Sequence, residues 1–160
     1  MTDHIGMEFK QAMRRLAASV TLVTLTDDGV FKGMAATAVC SLSAEPPSLL
    51  VCINRAASLH SHLTSASHFA VNILHTDQIE IAKRFSDNSL RDVRFENADW
   101  VRHEMGPPIL RDAQVSLVCT RSELISFGTH TICIGTVVDI QNRVDIDPLI
   151  YANGAFSAIS

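Results

Sequence analysis

Three short stretches carry the groups through which this chain could do chemistry. The first, Met34-Ala35-Ala36-Thr37-Ala38-Val39-Cys40-Ser41, is a run of small side chains. Where such residues line a surface, their backbone N–H and C=O groups stay open to a flat ligand. The same composition also suits a strand packed closely on its neighbour. The second, Cys52-Ile53-Asn54-Arg55-Ala56-Ala57-Ser58, sets an amide, a guanidinium and a hydroxyl at the exit of an apolar run and just ahead of a helical pattern. Free N–H groups and the helix dipole make such a place attractive to an anion, phosphate above all. A plain N-cap by Ser58 beside a solvated Arg55 accounts for the stretch equally well. The third, Phe127-Gly128-Thr129-His130, combines a residue that permits a sharp bend with an imidazole able to donate a hydrogen bond or move a proton. A lone histidine also serves structure alone.

No Ser/His/Asp set and no H-E-x-x-H is present, and the other histidines (4, 60, 62, 68, 75 and 103) have no metal-binding spacing. His60 and His62, two apart, point away from each other on a helix. Cys40, Cys52, Cys119 and Cys133 form no C-x-x-C pair. They read as small buried hydrophobes, free thiols of a reducing compartment.

The elements that must position these stretches are mostly strands. Met7 to Leu16 reads as a short helix, with Phe9, Met13 and Leu16 on one face. Val20 to Thr26 is rich in strand formers, Asp27-Asp28-Gly29 marks a tight turn, and Val30 to Met34 returns as the second arm of a hairpin. Glu45-Pro46-Pro47 breaks the ladder and predicts a loop. Ser48 to Ile53 is continuous enough to predict a strand buried on both faces. A helix is expected over Leu59 to Ala66 and a strand over His68 to Ile73. Asp77-Gln78-Ile79-Glu80 resembles a capping box with Asp77 as the cap, opening a helix that runs to about Phe85. The polar, irregular stretch from Ser86 to Leu110 predicts a long functional loop. Strands over Val115 to Cys119, Thr131 to Ile140 and Pro148 to Tyr151 complete a set of roughly six or seven strands and two or three helices. Long strands joined by hairpins favour an antiparallel barrel. No strand–G-x-G-x-x-G–helix unit supports a Rossmann site.

Length and composition bound the answer further. The 160 residues suit one domain covering 1–160; 47% are hydrophobic and 19% charged, enough apolar side chain to fill a core. The formal net charge of −4 and the lack of a basic stripe argue against a nucleic-acid partner. No apolar run approaches the roughly 20 residues that span a bilayer, and the N-terminus lacks a secretory pattern, so a cytoplasmic protein is expected.

Taken together and in this order, the stretches resemble the flavin reductase-like family, the reductase partners of two-component flavin monooxygenases. The likeness is carried by Phe9 to Met13, Ala36-Thr37-Ala38-Val39-Cys40-Ser41, Pro46-Pro47-Ser48-Leu49-Leu50-Val51-Cys52-Ile53-Asn54, Val71-Asn72, Arg94-Phe95, Gly128-Thr129-His130 and Leu149-Ile150-Tyr151. It implies a mainly β fold, a six-stranded antiparallel Greek-key split β-barrel with two or three flanking helices, working as a homodimer. It implies FMN or FAD as flavin and NADH or NADPH as reductant, with a flavin-dependent monooxygenase as partner. By the same likeness the backbone of Thr37, Ala38 and Val39, with Cys40 beside them, faces the isoalloxazine edge. Asn54 reaches the ribityl chain or phosphate, Arg55 and Ser58 lie by the phosphate, and Arg84 and Phe85 close the other side. His130 and Tyr151 flank the nicotinamide, with His130 the catalytic candidate. Two positions depart from the family pattern: the tail after Tyr151 is Ala152-Asn153-Gly154-Ala155-Phe156 rather than basic, and residue 35 is Ala rather than Thr. A flavin-dependent reductase of another acceptor, such as a cobalt corrin, and a non-catalytic flavin- or haem-binding module are the alternative readings.

Overall fold

The computed structural model describes residues 2–97 and 99–159. A first helix, α1 (Thr2–Met13), leads into a short strand β1 (Ala18–Ser19) and the hairpin β2 (Thr21–Asp27) and β3 (Val30–Ala36). The turn between them needs left-handed backbone at Asp28 and Gly29, with φ of 50° and 78°, as its Asp-Gly composition demands. The chain continues through β4 (Val39–Ala44), β5 (Pro47–Asn54), α2 (Leu59–Ser65), β6 (His68–Ile73) and a 3-10 turn (Thr76–Gln78) into α3 (Ile79–Ser86). A 3-10 segment (Asn88–Val93), β7 (Trp100–Arg102) and β8 (Pro108–Leu110) precede the long hairpin β9 (Val115–Phe127) and β10 (His130–Asn142). Two short strands, β11 (Ile150–Ala152) and β12 (Ala155–Ser157), end the chain.

Seven strands form one antiparallel sheet in the order β3-β2-β6-β9-β10-β5-β4. Its two edge strands, β3 and β4, are consecutive in sequence and are separated only by Thr37 and Ala38. Laid flat, seven strands would put those edges about 29 Å apart. The three Cα steps from Ala36 to Val39 span about 11 Å at most. The sheet must therefore curl until its edges meet, and the seam between them is a covalent link, not a hydrogen-bonded ladder. The expected six strands become seven because the ladder breaks at Thr37-Ala38.

The inner face of the curled sheet holds one core, with Val23, Leu25, Val51, Ile53, Phe69, Val71, Cys119 and Cys133 packed around Leu59 and Leu63 of α2. Gly135 makes room for it: a Cβ there would stand 2.6 Å from the Phe69 ring and 2.8 Å from the Cys119 Cβ. A second core lies outside the sheet, where Leu22, Leu74, Leu110 and Leu149 meet Ala82 and Phe85 of α3. Asn72, fully buried between the two, is satisfied on all sides. Its Nδ2 donates to the Leu22 carbonyl (3.1 Å) and Thr24 Oγ1 (3.0 Å), and its Oδ1 accepts from Leu110 N–H (2.9 Å) and Ser116 Oγ (2.8 Å).

Several expectations change. β5 is not buried on both faces: Leu49, Val51 and Ile53 point into the barrel, whereas Leu50 and Cys52 are half-buried on the outside. Pro47 begins that strand instead of lying in a loop, which costs no ladder bond at a first strand position. The capping box belongs to His75 and the 3-10 turn that leads into α3, not to Asp77; α3 itself starts after Gln78 without a side-chain cap. His75 Nδ1 accepts from Asp77 N–H (3.2 Å) while Gln78 Oε1 accepts from His75 N–H (3.0 Å). The stretch 86–110 carries the 3-10 segment, β7 and β8 and is not an unstructured loop. Of the four thiols only Cys119 and Cys133 are buried; Cys40 is exposed. Among the described residues no helix is long and apolar enough to cross a membrane.

Candidate functional site

The break between β3 and β4 brings two of the three candidate stretches together. β4 pairs with β5 so that Val39 faces Val51, and the Cys52 N–H donates to the Ala38 carbonyl (2.9 Å). β5 in turn pairs with β10, which sets His130 opposite Asn54, and Arg55 N–H donates to the Thr129 carbonyl (2.9 Å). All three stretches thus lie side by side on the β4–β5–β10 side of the barrel, although they are far apart in sequence.

An apolar groove of about 680 Å³ runs along the outside of β4 and β5. Thr37, Ala38, Val39, Cys40, Leu50 and Cys52 form one wall, and Leu117, Val137 and Ile140 form another. The Thr37 carbonyl accepts from Val39 N–H (3.0 Å) and the Ala38 carbonyl from Cys52. Neither Thr37 nor Ala38 donates a backbone hydrogen bond among the described residues. Thr37 and Ala38, both lining this apolar slot, thus carry main-chain N–H groups with no backbone acceptor among the described residues. Such a slot suits a flat ring with a polar edge.

A second, polar cavity of about 530 Å³ adjoins it. Ala35, near the end of β3, lines the cavity and Thr37, just beyond that strand, lines the groove; on β5, Asn54 lines the cavity and Cys52 the groove. The cavity collects Asn54 and Ser58, Phe85 and Ser86 from the end of α3, Asn88 and Arg91 from the 3-10 segment, and Arg94 just after it. The α2 N-terminus contributes little to it. The helix is only seven residues long, and Ser58 is already helical and makes no capping bond. The nearby N–H groups are used internally: Ala56 donates to Asn54 Oδ1 (2.9 Å), Ala57 to the Asn54 carbonyl (3.0 Å) and His60 to the Ala57 carbonyl (3.0 Å). The positive charge at this cavity belongs to the side chains of Arg91 and Arg94.

Arg94 is the strongest of these. It is 4% exposed, and its Nη1 donates to the Gly33 carbonyl (3.0 Å). Its charge lies 5.6 Å from the centre of the Phe85 ring. Its Nε, fully buried, has no hydrogen-bond partner among the described residues. Burial holds its pKa below the ordinary guanidinium value. Its Nη2 also donates to the Asp87 carbonyl (3.4 Å), and the Asp87 carboxylate favours the charged guanidinium, so Arg94 brings a buried positive charge to the cavity wall.

The other candidate residues are placed differently. Arg55 turns away, its Nη2 donating to the Gly128 carbonyl. Arg84 is half-buried on α3 and lines neither cavity, whereas the Phe85 ring is buried in an aromatic cluster with Phe95 (5.2 Å) and Trp100 (5.4 Å). His130 is exposed, with its Nδ1 2.9 Å from Thr129 Oγ1, and it lines neither cavity. Tyr151 lies on β11 opposite Ala18, a residue of the groove rim, and packs edge-on against Phe156 at 5.5 Å. Asn88, Arg91 and Arg94 were not assigned a role from sequence. The available signal was the long polar stretch after α3, which pointed to function without singling out a residue.

Comparison with known proteins follows the same lines. The family model described as flavin reductase like domain matches residues 13–160. The chain is 40% identical over 160 residues to the FADH(2)-dependent resorcinol hydroxylase, reductase component, of Rhizobium sp., covering 99% of this chain and 89% of the relative. It is 39% identical to the FMN reductase (NADH) RutF of Pseudomonas syringae pv. syringae, covering 91% and 82%. Among solved structures, the Streptomyces globisporus NADH:FAD oxidoreductase SgcE6, in complex with NAD and FAD fragments, superposes with a TM-score of 0.89 at 29% identity, covering 96% of this chain and 92% of that one.

Proposed function

Because this chain belongs to the flavin reductase-like family, we propose that it is an NADH-dependent flavin reductase that supplies reduced FMN or FAD to a separate flavin-dependent monooxygenase. The reading draws on relatives named as reductase components and as FMN reductases using NADH. The observation that carries it is the junction of the two cavities: two main-chain N–H groups without a backbone acceptor at an apolar slot, next to a polar pocket with a buried guanidinium.

In this reading Thr37 and Ala38 N–H groups hold the polar edge of the flavin ring, and the small side chains of Ala38 and Cys40 let it approach. Asn54, Ser58, Arg91 and Arg94 hold its phosphate. Flavin, when bound, supplies the hydride acceptor, so the protein needs no strongly perturbed acid or base. The chain's own work is orientation and exclusion of water. His130, opposite Asn54 in the ladder, and Tyr151, beside the groove rim, are the residues assigned to the nicotinamide. Arg55 is assigned a supporting role, holding the Gly128 turn that presents His130, and Arg84 lies on the outer side of α3.

The fold form we assign is a Greek-key split barrel in which β3 and β4 are one strand broken at Thr37-Ala38. The working unit is a homodimer in the cytoplasm. Ile5, Phe9, Met13 and Leu16 near the N-terminus, with Leu42, Val138 and Ile140 on the sheet, are all exposed, and Leu16 and Ile140 also line the groove. An apolar surface continuous with the slot suits a second copy that closes it. The free thiols at Cys40 and Cys52 suit a reducing compartment.

The test is direct. Purified protein mixed with FMN or FAD and NADH under nitrogen should bleach the oxidised-flavin absorbance catalytically. Flavin binding without bleaching would leave a flavin-binding module, and NADH oxidation that reduces an added cobalt corrin while returning the flavin to its oxidised form would make the corrin the acceptor.

A further inference from the structure

A third cavity, of about 560 Å³, opens on the far side of Arg91 and Arg94. It shares Ser58, Arg91 and Arg94 with the polar cavity, so those three residues form a common wall between the two. The rest of its lining comes from the β2–β3 hairpin, with Phe31 and Lys32, from α2, from the stretch around Asp92 and Glu96, and from Arg102 of β7. The four cations Lys32, Arg91, Arg94 and Arg102 outnumber the carboxylates on its wall, Asp92 and Glu96. Lys32 and Arg91 have no ion-pair partner among the described residues. Arg102 is fixed: its Nη2 donates to the Gly29 carbonyl (3.1 Å), its Nη1 to Thr26 Oγ1 (3.2 Å), and its charge sits 4.6 Å from the Phe31 ring centre.

We infer that the two cavities form one trough for a flavin dinucleotide, and that the Lys32–Arg102 cavity takes the adenosine half of FAD. The inference rests on the proposed flavin site and names its preferred substrate. In FAD the second phosphate is joined to the first through a single oxygen, so it must lie beside whatever holds the first. Arg91, on the wall common to both cavities, is the residue placed to meet both phosphates. Lys32 adds charge only on the far side, where FMN has no atoms. Arg102, held over Phe31, is a planar cationic surface of the kind on which purines stack.

An adenosine diphosphate group also occurs in NADH, and the experiment separates the two sources. Dissociation constants for oxidised FAD and FMN are measured by calorimetry on the full chain, together with the KM for NADH, for the natural protein and for Lys32→Ala and Lys32→Gln. The natural protein should bind FAD at least about tenfold more tightly than FMN, roughly the value of one charge-assisted contact. Both variants should weaken FAD about fivefold to tenfold and leave FMN within twofold, with NADH KM unchanged. Equal affinity for the two flavins in the natural protein, or an equal loss for both on substitution, overturns the inference. A rise in NADH KM with both flavins unaffected overturns it too, and assigns the cavity to the nicotinamide dinucleotide. If FAD binds as described but NADH never bleaches it, the reductase reading fails while the trough stands.

Discussion

The groove and the polar cavity adjoin, yet they are made of different material. The groove is walled by contiguous strand residues with small side chains, and its polar groups belong to the main chain at Thr37 and Ala38. The cavity is walled by long side chains gathered from β5, the end of α3 and the 3-10 segment after it. The first kind of site tolerates side-chain change as long as the backbone path is kept. The second depends on single charged atoms whose positions come from distant segments. In the proposed site this divides recognition: shape and edge polarity on one side, charge on the other.

That division can be tested, and the thiols give the largest contrast. Cys40 and Cys52 line the groove, while Cys119 and Cys133 sit inside the barrel, where burial raises their pKa values to about 12 and about 11. At pH 8 iodoacetamide should label the first pair more than about a hundredfold faster than the second, since the inner pair reacts only through opening of the barrel. Saturating flavin should slow labelling of Cys52. Labelling that flavin leaves unchanged would place the ring elsewhere. The sign of the pH effect follows from the same shifts. Unfolded thiols ionise near their ordinary value of 9.0, whereas the folded ones stay neutral to about 11 or 12. This stability is therefore intact below pH 9 and falls as pH rises through that window.

Next in size is the scaffold common to both sites. Gly135→Ala forces a methyl against Phe69 and Cys119 and should cost about 3 kcal/mol, read as a melting temperature lower by roughly 10 °C. Arg91→Ala should weaken FMN about thirtyfold, close to 2 kcal/mol, and leave riboflavin, which lacks the phosphate, within twofold. A loss shared by riboflavin would mean that the cavity holds something other than phosphate. His130→Ala should slow NADH oxidation about tenfold with flavin affinity nearly unchanged; collapse of flavin affinity with an unaltered rate would give His130 a different role. The smallest effects belong to the groove. Ala38→Pro removes one main-chain donor and should weaken both FMN and riboflavin about fivefold, near 1 kcal/mol, whereas Thr37→Val should change either by less than twofold. If Thr37→Val proves the more damaging, the groove recognises through side chains and the distinction between the two sites disappears.

The parts of this arrangement that could be read from sequence follow from how local their causes are. The Asp-Gly turn, the strand at His68–Ile73 and the two helices near 59 and 79 are set by neighbouring residues, and the structure has them within a few positions. The small-residue stretch at 34–41 was visible because its chemistry is its composition. Strand β5 was misread because a run of apolar residues looks the same whether one face or two are covered; only the sheet order reveals that Leu50 and Cys52 face outward. The cap at His75 escaped because histidine is an uncommon capping acceptor, while Asp77 had the expected type at the wrong position. Arg91 and Arg94 were invisible as a pair with Asn54 because their proximity is created by the folding of α3 back over β3, which no spacing in the chain encodes.

The join at Thr37-Ala38 has one last consequence. Every other strand boundary in the curled sheet is laced by hydrogen bonds from strand to strand; between β3 and β4 there is no such ladder, only the connecting chain and shared packing on the core. Widening the cylinder at this line breaks no ladder, so it is the cheapest direction in which the wall can breathe. In the proposed reductase, that loosest stitch lies beside the slot assigned to the flavin ring.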